Sequence, residues 1–429
     1  MKISIITVNY NGKHLLKNFL DVICNLNYDK KDYEIILVDN GSTDDSVDFV
    51  KKNYPEVRVI CSKKNLGFGI GNNLGIRHSK GDLVFLVNSD TVPDKDFLKN
   101  IVGCYQKLDK LSRHRIGAVA AKLVLIDRYL PLKIVDANFT GYKIADCNKP
   151  QNDYVYVLNH EITNHNYEYV SLPFNFEIKR DLEIELTVQK YRSKNFEVSV
   201  GDMVFENEFR KGKGTFVIKI SLGKDKLEVF GKNLIQNAGN FYFRDGYGRD
   251  RGVRIFSQKQ YYEIDEGQYD KSQSLQGFCG AGVLLNKKAL EKVGLFDPNF
   301  FMYYEDGDLS FRMRKNGWKI YFCPKAVIRH IHSASSLEWS PFFNFHTERG
   351  RLLLVIKHWP RLAAIREWFK FIIRDSITVP MYYLFQGNYK RSLLKFTGRL
   401  KVNLSLVVPF LMNVMAAGRF SKKEIKKFY

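Results

Sequence analysis

Cysteine is scarce in this sequence, and the few cysteines lack the spacing of a disulfide framework or a zinc site. The 429 residues contain 6 cysteines, scattered along the chain with no CxxC pair. This distribution argues against both kinds of site and predicts reduced, buried thiols. The start of the sequence also lacks the basic segment and long apolar stretch of a secretory signal. We therefore expect a cytoplasmic protein.

Acidic residues are scarce in the last fifth of the chain, and long apolar runs are missing there. Residues 341–429 contain 17 Lys and Arg against 4 Asp and Glu. Apolar clusters between the basic residues favour an anionic lipid surface over nucleic acid as the partner. No run reaches the roughly 20 apolar residues that cross a bilayer. The sequence thus predicts a helical tail on the inner face of the plasma membrane, with ordinary packing helices as the alternative.

Apolar strands alternate with helical patterns over residues 3–87. Strands are predicted at Ile3 to Val8, Glu34 to Val38, Val57 to Cys61 and Leu83 to Val87. This alternation predicts parallel strands joined by crossover helices, a doubly wound α/β sheet. Ligands of such sheets bind beyond the carboxyl ends of the strands. In this sequence those ends carry Asn9, Asp39, Asn40, and Asn88 to Asp90.

The pattern changes after the first α/β segment. Short alternating strands such as FNFEIKR, LEIELTVQ, TFVIKISL and KLEVF follow one another between turn residues, which is typical of a β-sandwich. Helical and α/β signals then resume at GFCGAGVLLNKKALEKVG. We predict an α/β half at 1–128, an inserted β-rich domain at 129–235, a second α/β half at 236–340 and a basic helical tail at 341–429.

Three motifs follow predicted strands, and each has an ordinary structural alternative. VDNGSTDDS at 38–46 is suited to bind a base or sugar edge, or it is a capped strand-to-helix turn. NLGFGIGNNLG at 65–75 lacks the GxGxxG spacing, which disfavours a dinucleotide-dependent hydride enzyme. NSD at 88–90 ends an apolar strand, and its carboxylate is suited to a hard divalent cation or to a helix cap.

Carboxylates are crowded in FMYYEDGDLSFRMRKNGW, residues 301–318. Glu305, Asp306 and Asp308 stand directly behind an aromatic run. Burial of carboxylates is costly, so the crowding predicts a function that offsets this cost. The alternative is a capping cluster for a helix over 309–316.

Two histidines, His330 and His332, stand at alternate positions of the strand-like segment PKAVIRHIH. Alternate residues of a strand point to the same face of the sheet. A shared site is therefore favoured as much as an ordinary structural role for either histidine.

Taken in order, these motifs resemble those of the inverting family 2 glycosyltransferases with a GT-A fold. The resemblance is strongest to the rhamnosyltransferase-like members that build bacterial surface polysaccharides, and it covers roughly residues 1–125 and 236–360. The β-rich insertion departs from the common pattern, as does Asn88 at the first aspartate of a DxD motif. The resemblance implies transfer of a sugar from dTDP-rhamnose or another UDP-, GDP- or dTDP-sugar to a lipid-linked or growing surface glycan.

The resemblance also implies roles for individual residues. Asp306 would be the base that accepts the proton of the attacking hydroxyl, because a sugar hydroxyl is a poor nucleophile at neutral pH. A Mg²⁺ or Mn²⁺ ion held by Asp90 and His330, with His332 as a rival, would neutralise the leaving diphosphate. Implied donor contacts are Asn9, Asp39, Asn40, Asn65, Asn73, Ser89 and Asp90, and the implied acceptor side comprises Gly280, Gly282, Glu305 and Asp308.

Two other classes of protein stay open. A catalytically inactive carbohydrate-binding or scaffold protein would work through the β-rich insertion. A nucleotidyltransferase would share the α/β sheet and the metal, but it gives no account of the EDGD and HIH segments.

Overall fold

The computed structural model describes most of the chain in two compact units. The described residues are 1–111, 115–144, 155–157, 167–174, 182–190, 195–208, 215–222, 231–256, 259–331, 340–386 and 389–415. The first unit comprises Met1–Lys122, Gly239–Arg249 and Lys271–Tyr429, and the second comprises Leu123–Ala238 and Asp250–Asp270.

A parallel sheet with crossover helices opens the first unit. Strands β1 (Ile3–Asn9), β2 (Tyr33–Asp39), β3 (Val57–Cys61) and β4 (Leu83–Val87) lie in the order β3-β2-β1-β4. Between them run α1 (Lys13–Ile23), α2 (Ser46–Asn53) and α3 (Phe68–His78). Every residue of β4 is buried, as a run of five apolar residues predicts. The predicted doubly wound α/β fold is confirmed.

Antiparallel strands complete this sheet beyond β4. The chain continues through β5 (Thr91–Pro93), α4 (Phe97–Leu111) and β6 (Arg115–Leu125), and later returns as β20 (Gly282–Asn286), which pairs antiparallel with β4 and β6. Helices α5 (Lys287–Val293) and α6 (Glu305–Lys315) precede β21 (Trp318–His330), whose end pairs with β5. A short hairpin of β16 (Asn240–Tyr242) and β17 (Gly248–Asp250) begins in the same unit.

Helices form the C-terminal part of the first unit. They are α7 (Pro341–His358), α8 (Arg361–Lys370), a π-helix (Phe371–Thr378), α9 (Val379–Phe385) and α10 (Tyr389–Met415). Their apolar side chains share a core that includes Leu352, Leu353, Phe371, Val402 and Leu406. The predicted helical tail is confirmed, and its contacts join it to the α/β part. Of the helices that the structure describes, none has the length and apolar character needed to span a bilayer.

The second unit contains strands of two β-sheets, which share an apolar core. Its first sheet contains β7 (Arg128–Val135), β9 (Val155–Val157), β10 (Tyr167–Phe174), β12 (Asn195–Val200), β13 (Met203–Glu208), β15 (Leu234–Asn237), β18 (Val253–Phe256) and β19 (Lys259–Ile264). The second contains β8 (Ala137–Ile144), β11 (Leu182–Lys190) and β14 (Thr215–Leu222). Alternate residues of both sheets, such as Leu132, Val198, Leu186 and Ile220, fill the core. The predicted sandwich is confirmed, although most of the segment FNFEIKR and all of KLEVF lie outside the described residues.

Two sequence expectations need adjustment. The second unit takes in Asp250–Asp270, which we expected in the second α/β half, because β19 pairs with β15 and β9. The domain boundaries at 128, 235 and 340 therefore stay predictions. Of the five cysteines that the structure describes, only Cys24 and Cys323 are buried, and Cys61 at the end of β3 is exposed.

Candidate active site

The carboxyl ends of β1 and β2 bring Asn9 and Asp39 side by side in register. Asn9 Nδ2 donates hydrogen bonds to Asp39 Oδ1 at 3.4 Å and to Ser42 Oγ at 3.2 Å. The backbone N–H of Ser42 donates to Asp39 Oδ2 at 3.0 Å. The Asp39 carboxylate is thus hydrogen-bonded within the VDNGS loop and to Asn9. The role of Asn9 and Asp39 in donor binding stays a prediction.

Three predicted donor contacts, Asn40, Asn65 and Asn73, hold loops together in this structure. Asn40 Nδ2 donates to Asn65 Oδ1 at 3.0 Å, and Asn40 Oδ1 accepts from the Leu66 N–H at 3.0 Å. Asn73 is buried, and both ends of its amide bind the backbone of Phe296, at 2.8 and 3.0 Å. These amides are hydrogen-bonded to backbone groups and to each other, and the roles of Asn40, Asn65 and Asn73 in donor binding stay predictions.

The glycine-rich segment packs α3 against the loop before α6. Gly67 has φ +80°, and a Cβ atom there would lie 2.2 Å from the carbonyl oxygen of Phe301. The N–H of Phe68 donates to the same oxygen at 2.9 Å. Glycine is thus required both for the left-handed backbone and for the close approach. The segment links the edge of the parallel sheet to the loop that carries the acidic cluster.

Asp90 and His330 meet at the edge of the sheet, although 240 positions separate them in the chain. His330 pairs with Thr91 across β21 and β5, and the N–H of Ile331 donates to the Asp90 carbonyl at 2.9 Å. This pairing brings Asp90 Oδ1 to 3.1 Å from His330 Nε2. The predicted metal pair is therefore close in space. His332 lies outside the described residues, and Ser89 is partly buried beside Asp90.

The two side chains fit the chemistry of a divalent cation. In this structure Asp90 Oδ1 and His330 Nε2 are hydrogen-bonded at 3.1 Å, and adjacent ligands of an octahedral ion, each about 2.1 Å from the metal, have a similar separation of roughly 3.0 Å. Within the part of the chain that the structure describes, no group of three or more His, Cys, Asp or Glu forms a complete metal site. Mg²⁺ and Mn²⁺ commonly take their remaining ligands from phosphate oxygens and water. Asp90 and His330 thus suit an ion that binds together with a diphosphate.

Asp306 lies in the first turn of α6, behind two residues with left-handed backbone. Tyr303 and Tyr304 have φ of 66° and 69°, a costly conformation for residues with large side chains. The carboxylate of Asp306 accepts hydrogen bonds from the N–H groups of Gly280, at 3.2 Å, and Gly307, at 2.7 Å. Burial raises the pKa of Asp306 to about 6 and outweighs these hydrogen bonds, which lower it. A carboxylate with such a pKa is suited to accept a proton near neutral pH.

Asp306 and Asp90 lie at the same edge of the sheet. Gly282 at the start of β20 pairs with Val87 at the end of β4. The N–H of Asn88 donates to the carbonyl of Ala281 at 3.3 Å, and the adjacent Gly280 donates to Asp306. Short backbone connections thus run from the Asp306 carboxylate to the strand end that carries Asp90.

Glu305 is buried beside Asp306 and has an unsatisfied oxygen. Its side chain is 5% exposed, and among the described residues its Oε2 atom has no hydrogen-bond partner. Burial, and then the charge of Asp306, raise the pKa of Glu305 well above its ordinary value. The placement of Glu305 on the acceptor side stays a prediction.

Asp308 belongs to a buried ionic cluster. Its side chain is fully buried, with Oδ2 2.8 Å from Arg312 Nε, and Oδ1 2.8 Å from His358 Nε2 and beside Lys357 Nζ. Burial alone would raise its pKa, but the hydrogen bond from His358 and the charges of Arg312 and Lys357 hold it well below the usual range. The carboxylate thus connects α6 to α7, and the acceptor-side role of Asp308 stays a prediction.

Two family models match separate parts of this chain. "Glycosyl transferase family 2" matches residues 4–148, and "Glycosyltransferase like family 2" matches residues 250–345. Together these matches cover more than half of the 429 residues. They contain the strand ends of β1, β2 and β4 and the segment with Asp306 and His330.

Curated relatives share shorter segments. A dolichyl N-acetyl-α-D-glucosaminyl phosphate 3-β-D-2,3-diacetamido-2,3-dideoxy-β-D-glucuronosyltransferase of Methanococcus voltae is 30% identical over 113 residues, 25% of this chain and 35% of its own length. A poly(ribitol-phosphate) β-glucosyltransferase of Bacillus spizizenii is 43% identical over 94 residues, 21% of this chain and 15% of its own. An N-acetylglucosaminyl-diphospho-decaprenol L-rhamnosyltransferase of Mycobacterium tuberculosis is 30% identical over 120 residues, 28% of this chain and 37% of its own.

The sequence identity between this chain and similar solved structures is low. The structure of GalNAc-T7 with UDP, GalNAc and Mn²⁺ aligns with 95% of this chain and 57% of its own, at 12% identity and a TM-score of 0.49. This level of similarity supports no conclusion about the site.

Proposed function

Because the chain belongs to the family 2 glycosyltransferases, we propose that it transfers a sugar from a nucleotide-diphosphate donor to a bacterial glycan. The observation that carries this proposal is the carboxylate of Asp306, with a pKa of about 6, at the sheet edge that also holds Asp90 and His330. The names of the relatives support it, since each is a glycosyltransferase.

In the proposed reaction Asp306 is the general base. As the acceptor oxygen bonds to the anomeric carbon of the donor sugar, the hydroxyl proton moves to the Asp306 carboxylate. The bond between the anomeric carbon and the phosphate oxygen breaks, and the nucleoside diphosphate leaves with the electron pair. Attack from the face opposite the leaving group inverts the anomeric centre. The hydrogen bonds from Gly280 and Gly307 orient the carboxylate for this step.

Asp90 and His330 are the residues that would hold a Mg²⁺ or Mn²⁺ ion. When bound, such an ion supplies positive charge that neutralises the leaving diphosphate. Asp90 contributes a carboxylate oxygen and His330 an imidazole nitrogen from the adjacent strand. Pairing of β5 with β21 fixes their separation before a ligand arrives.

The Asp90→Asn variant is expected to lose most of the stabilisation that Mn²⁺ adds in the presence of a nucleoside diphosphate. A ligand that binds the native state raises the melting temperature by mass action, and an amide is a weaker ligand than a carboxylate for a hard cation. Thermal shift with UDP, GDP or dTDP, each with and without Mn²⁺, measures this effect.

Asp82→Asn is a suitable control for that experiment. Asp82 precedes β4 at the opposite end of the strand, where its Oδ2 accepts a hydrogen bond from the Lys2 N–H. This variant should keep the full Mn²⁺-dependent shift. An equal Mn²⁺ effect in wild-type and Asp90→Asn proteins would remove Asp90 from the metal site.

The finer parts of the proposal concern the donor, the acceptor and the cellular location. Candidate donors are dTDP-rhamnose and other UDP-, GDP- and dTDP-sugars, and the proposed acceptor is a lipid-linked or growing surface glycan. Two of the relatives are named for a dolichyl phosphate and a diphospho-decaprenol substrate. For such an acceptor the enzyme would work at the inner face of the plasma membrane, to which its basic C-terminal helices are attracted.

A further inference from the structure

Helix α10 is apolar on two opposite faces, and within the described part of the chain one of these faces is buried and the other is exposed. Val402 and Leu406 are 2% and 0% exposed and belong to the core shared with α7 and the π-helix. Large apolar side chains on the other face recur every three or four residues, the spacing of one helix face. This stripe consists of Tyr389, Leu393, Phe396, Leu400, Leu404, Val407 and Leu411, all between 40% and 70% exposed.

A surface helix of the same chain shows the ordinary pattern. Helix α1 buries Leu16, Phe19, Leu20 and Ile23. Its exposed positions are polar or charged, namely Lys13, His14, Lys17, Asn18 and Asp21. The exposed face of α10 is therefore apolar, whereas the exposed face of α1 is polar or charged.

The helices that pack beside α10 carry a second stripe. Ring contact between Trp368 of α8 and Phe410 of α10, with centroids 4.2 Å apart, joins the two elements. From α8 through the π-helix to α9, exposed apolar side chains recur at similar spacing: Phe369, Ile373, Ile377, Met381, Leu384 and Phe385. Soluble proteins rarely leave such extensive apolar surface in water.

The positive charge of these helices favours an anionic partner. Residues 361–411 contain nine Lys and Arg against two Asp and Glu. Two copies that met through this surface would bring like charges together, whereas anionic lipid headgroups would neutralise them. A basic helix with a continuous apolar face is typical of elements that lie within the membrane interface.

We propose that the exposed apolar faces of α8–α10 insert into the headgroup and acyl boundary of an anionic lipid bilayer. This inference rests on the membrane part of the proposed function and adds that apolar insertion, beyond charge attraction, holds the protein there. Insertion would place the first unit directly against a bilayer that carries a lipid-linked acceptor.

Vesicle sedimentation separates insertion from charge attraction. The full chain is mixed with vesicles of phosphatidylcholine and phosphatidylglycerol, at low salt and at about 1 M NaCl, where the Debye length falls to about 3 Å. Insertion predicts that a substantial fraction of the protein stays bound at high salt. Complete release at high salt would overturn the inference.

A triple variant tests the apolar face directly. Leu393→Gln, Leu404→Gln and Leu411→Gln together should weaken binding to these vesicles at least about tenfold, because each leucine is more than half exposed and adds buried area only on insertion. A matched control changes three exposed apolar residues elsewhere, Leu111→Gln, Val204→Gln and Val217→Gln. The control should bind as the wild type does, and equal binding by both triple variants would contradict the inference.

The same proteins distinguish the other outcomes. Sedimentation equilibrium without lipid would reveal self-association; a dimer abolished by the α10 triple variant would identify a second copy as the occupant and overturn the inference. The thermal shift with Mn²⁺ and nucleoside diphosphate should be unchanged in both triple variants. Failure of sugar transfer with every donor would refute the proposed function and leave the vesicle result intact.

Discussion

Asp306→Asn is expected to lower the rate constant of sugar transfer by about 10²–10⁴-fold, the usual contribution of a general base. The amide keeps an oxygen able to accept from the Gly280 or Gly307 N–H, so the loop should retain its structure. Binding of a nucleoside diphosphate with Mn²⁺ should be nearly unchanged. Release of nucleoside diphosphate with saturating donor and acceptor gives the rate, and thermal shift gives the binding.

The pH dependence of transfer provides a second test of Asp306. A base must be deprotonated to act, and burial raises the pKa of Asp306 to about 6. The rate in the wild type should therefore fall tenfold for each pH unit below about 6 and be level above it. This acid limb should be absent from the residual rate of Asp306→Asn.

Asp48→Asn is the matched control for this variant. Asp48 is also a carboxylate in the first turn of a helix, α2, but it is exposed. It should retain the full rate and the same pH profile. A comparable loss in both variants would mean that helix stability, and not proton transfer, explains the effect of Asp306→Asn.

Asp308→Asn is expected to destabilise the protein by about 3–5 kcal/mol, the range for removal of one partner from a buried ion pair. The substitution removes the buried carboxylate that faces Arg312 and leaves Lys357 paired with Asp297 alone. It also changes the partner of His358, which is buried and hydrogen-bonded to Asp308. Urea denaturation followed by the fluorescence of the tryptophans measures the free energy of unfolding.

The pH dependence of stability distinguishes this cluster from a simple packing effect. Asp308 has a lower pKa in the folded state than in the unfolded chain, where Asp titrates near 3.9. Its contribution is therefore fully present above about pH 4 and is lost as pH falls through the lower folded-state pKa. The difference in stability between wild type and Asp308→Asn should be constant from pH 6 to 8 and shrink on strong acidification. A difference below about 0.5 kcal/mol at pH 7, the range of ordinary surface changes, would contradict the cluster's role.

The sequence predicts the polar edge of the sheet well, because strands and the residues at their ends can be recognised from short stretches of neighbouring residues. Asp39 and Asp90 each follow an apolar strand, and parallel strands bring their carboxyl ends to one edge. The strand-like segment PKAVIRHIH forms the end of β21 as far as His330, which lies beside Asp90, and the metal-binding role of His330 stays a prediction.

The sequence does not predict partners supplied by distant parts of the chain. Asn73 binds the backbone of Phe296, 223 residues later, and Asp308 binds His358, 50 residues later in another helix. Locally, Asp308 has the same first-turn position as Asp306, so nothing in EDGD distinguishes the residue in the buried ionic cluster from the predicted catalytic residue. The position of α7 places His358 next to Asp308, and the periodicity of the sequence does not predict that position.

A crystal of the protein with Mn²⁺ and a nucleoside diphosphate would test the central claim most directly. The account predicts an anomalous scattering peak beside Asp90 Oδ1 and His330 Nε2, with the diphosphate next to it and the Asp306 carboxylate facing the same cleft. A nucleotide bound away from the carboxyl ends of β1, β2 and β4, or a Mn²⁺ peak remote from Asp90, would contradict it.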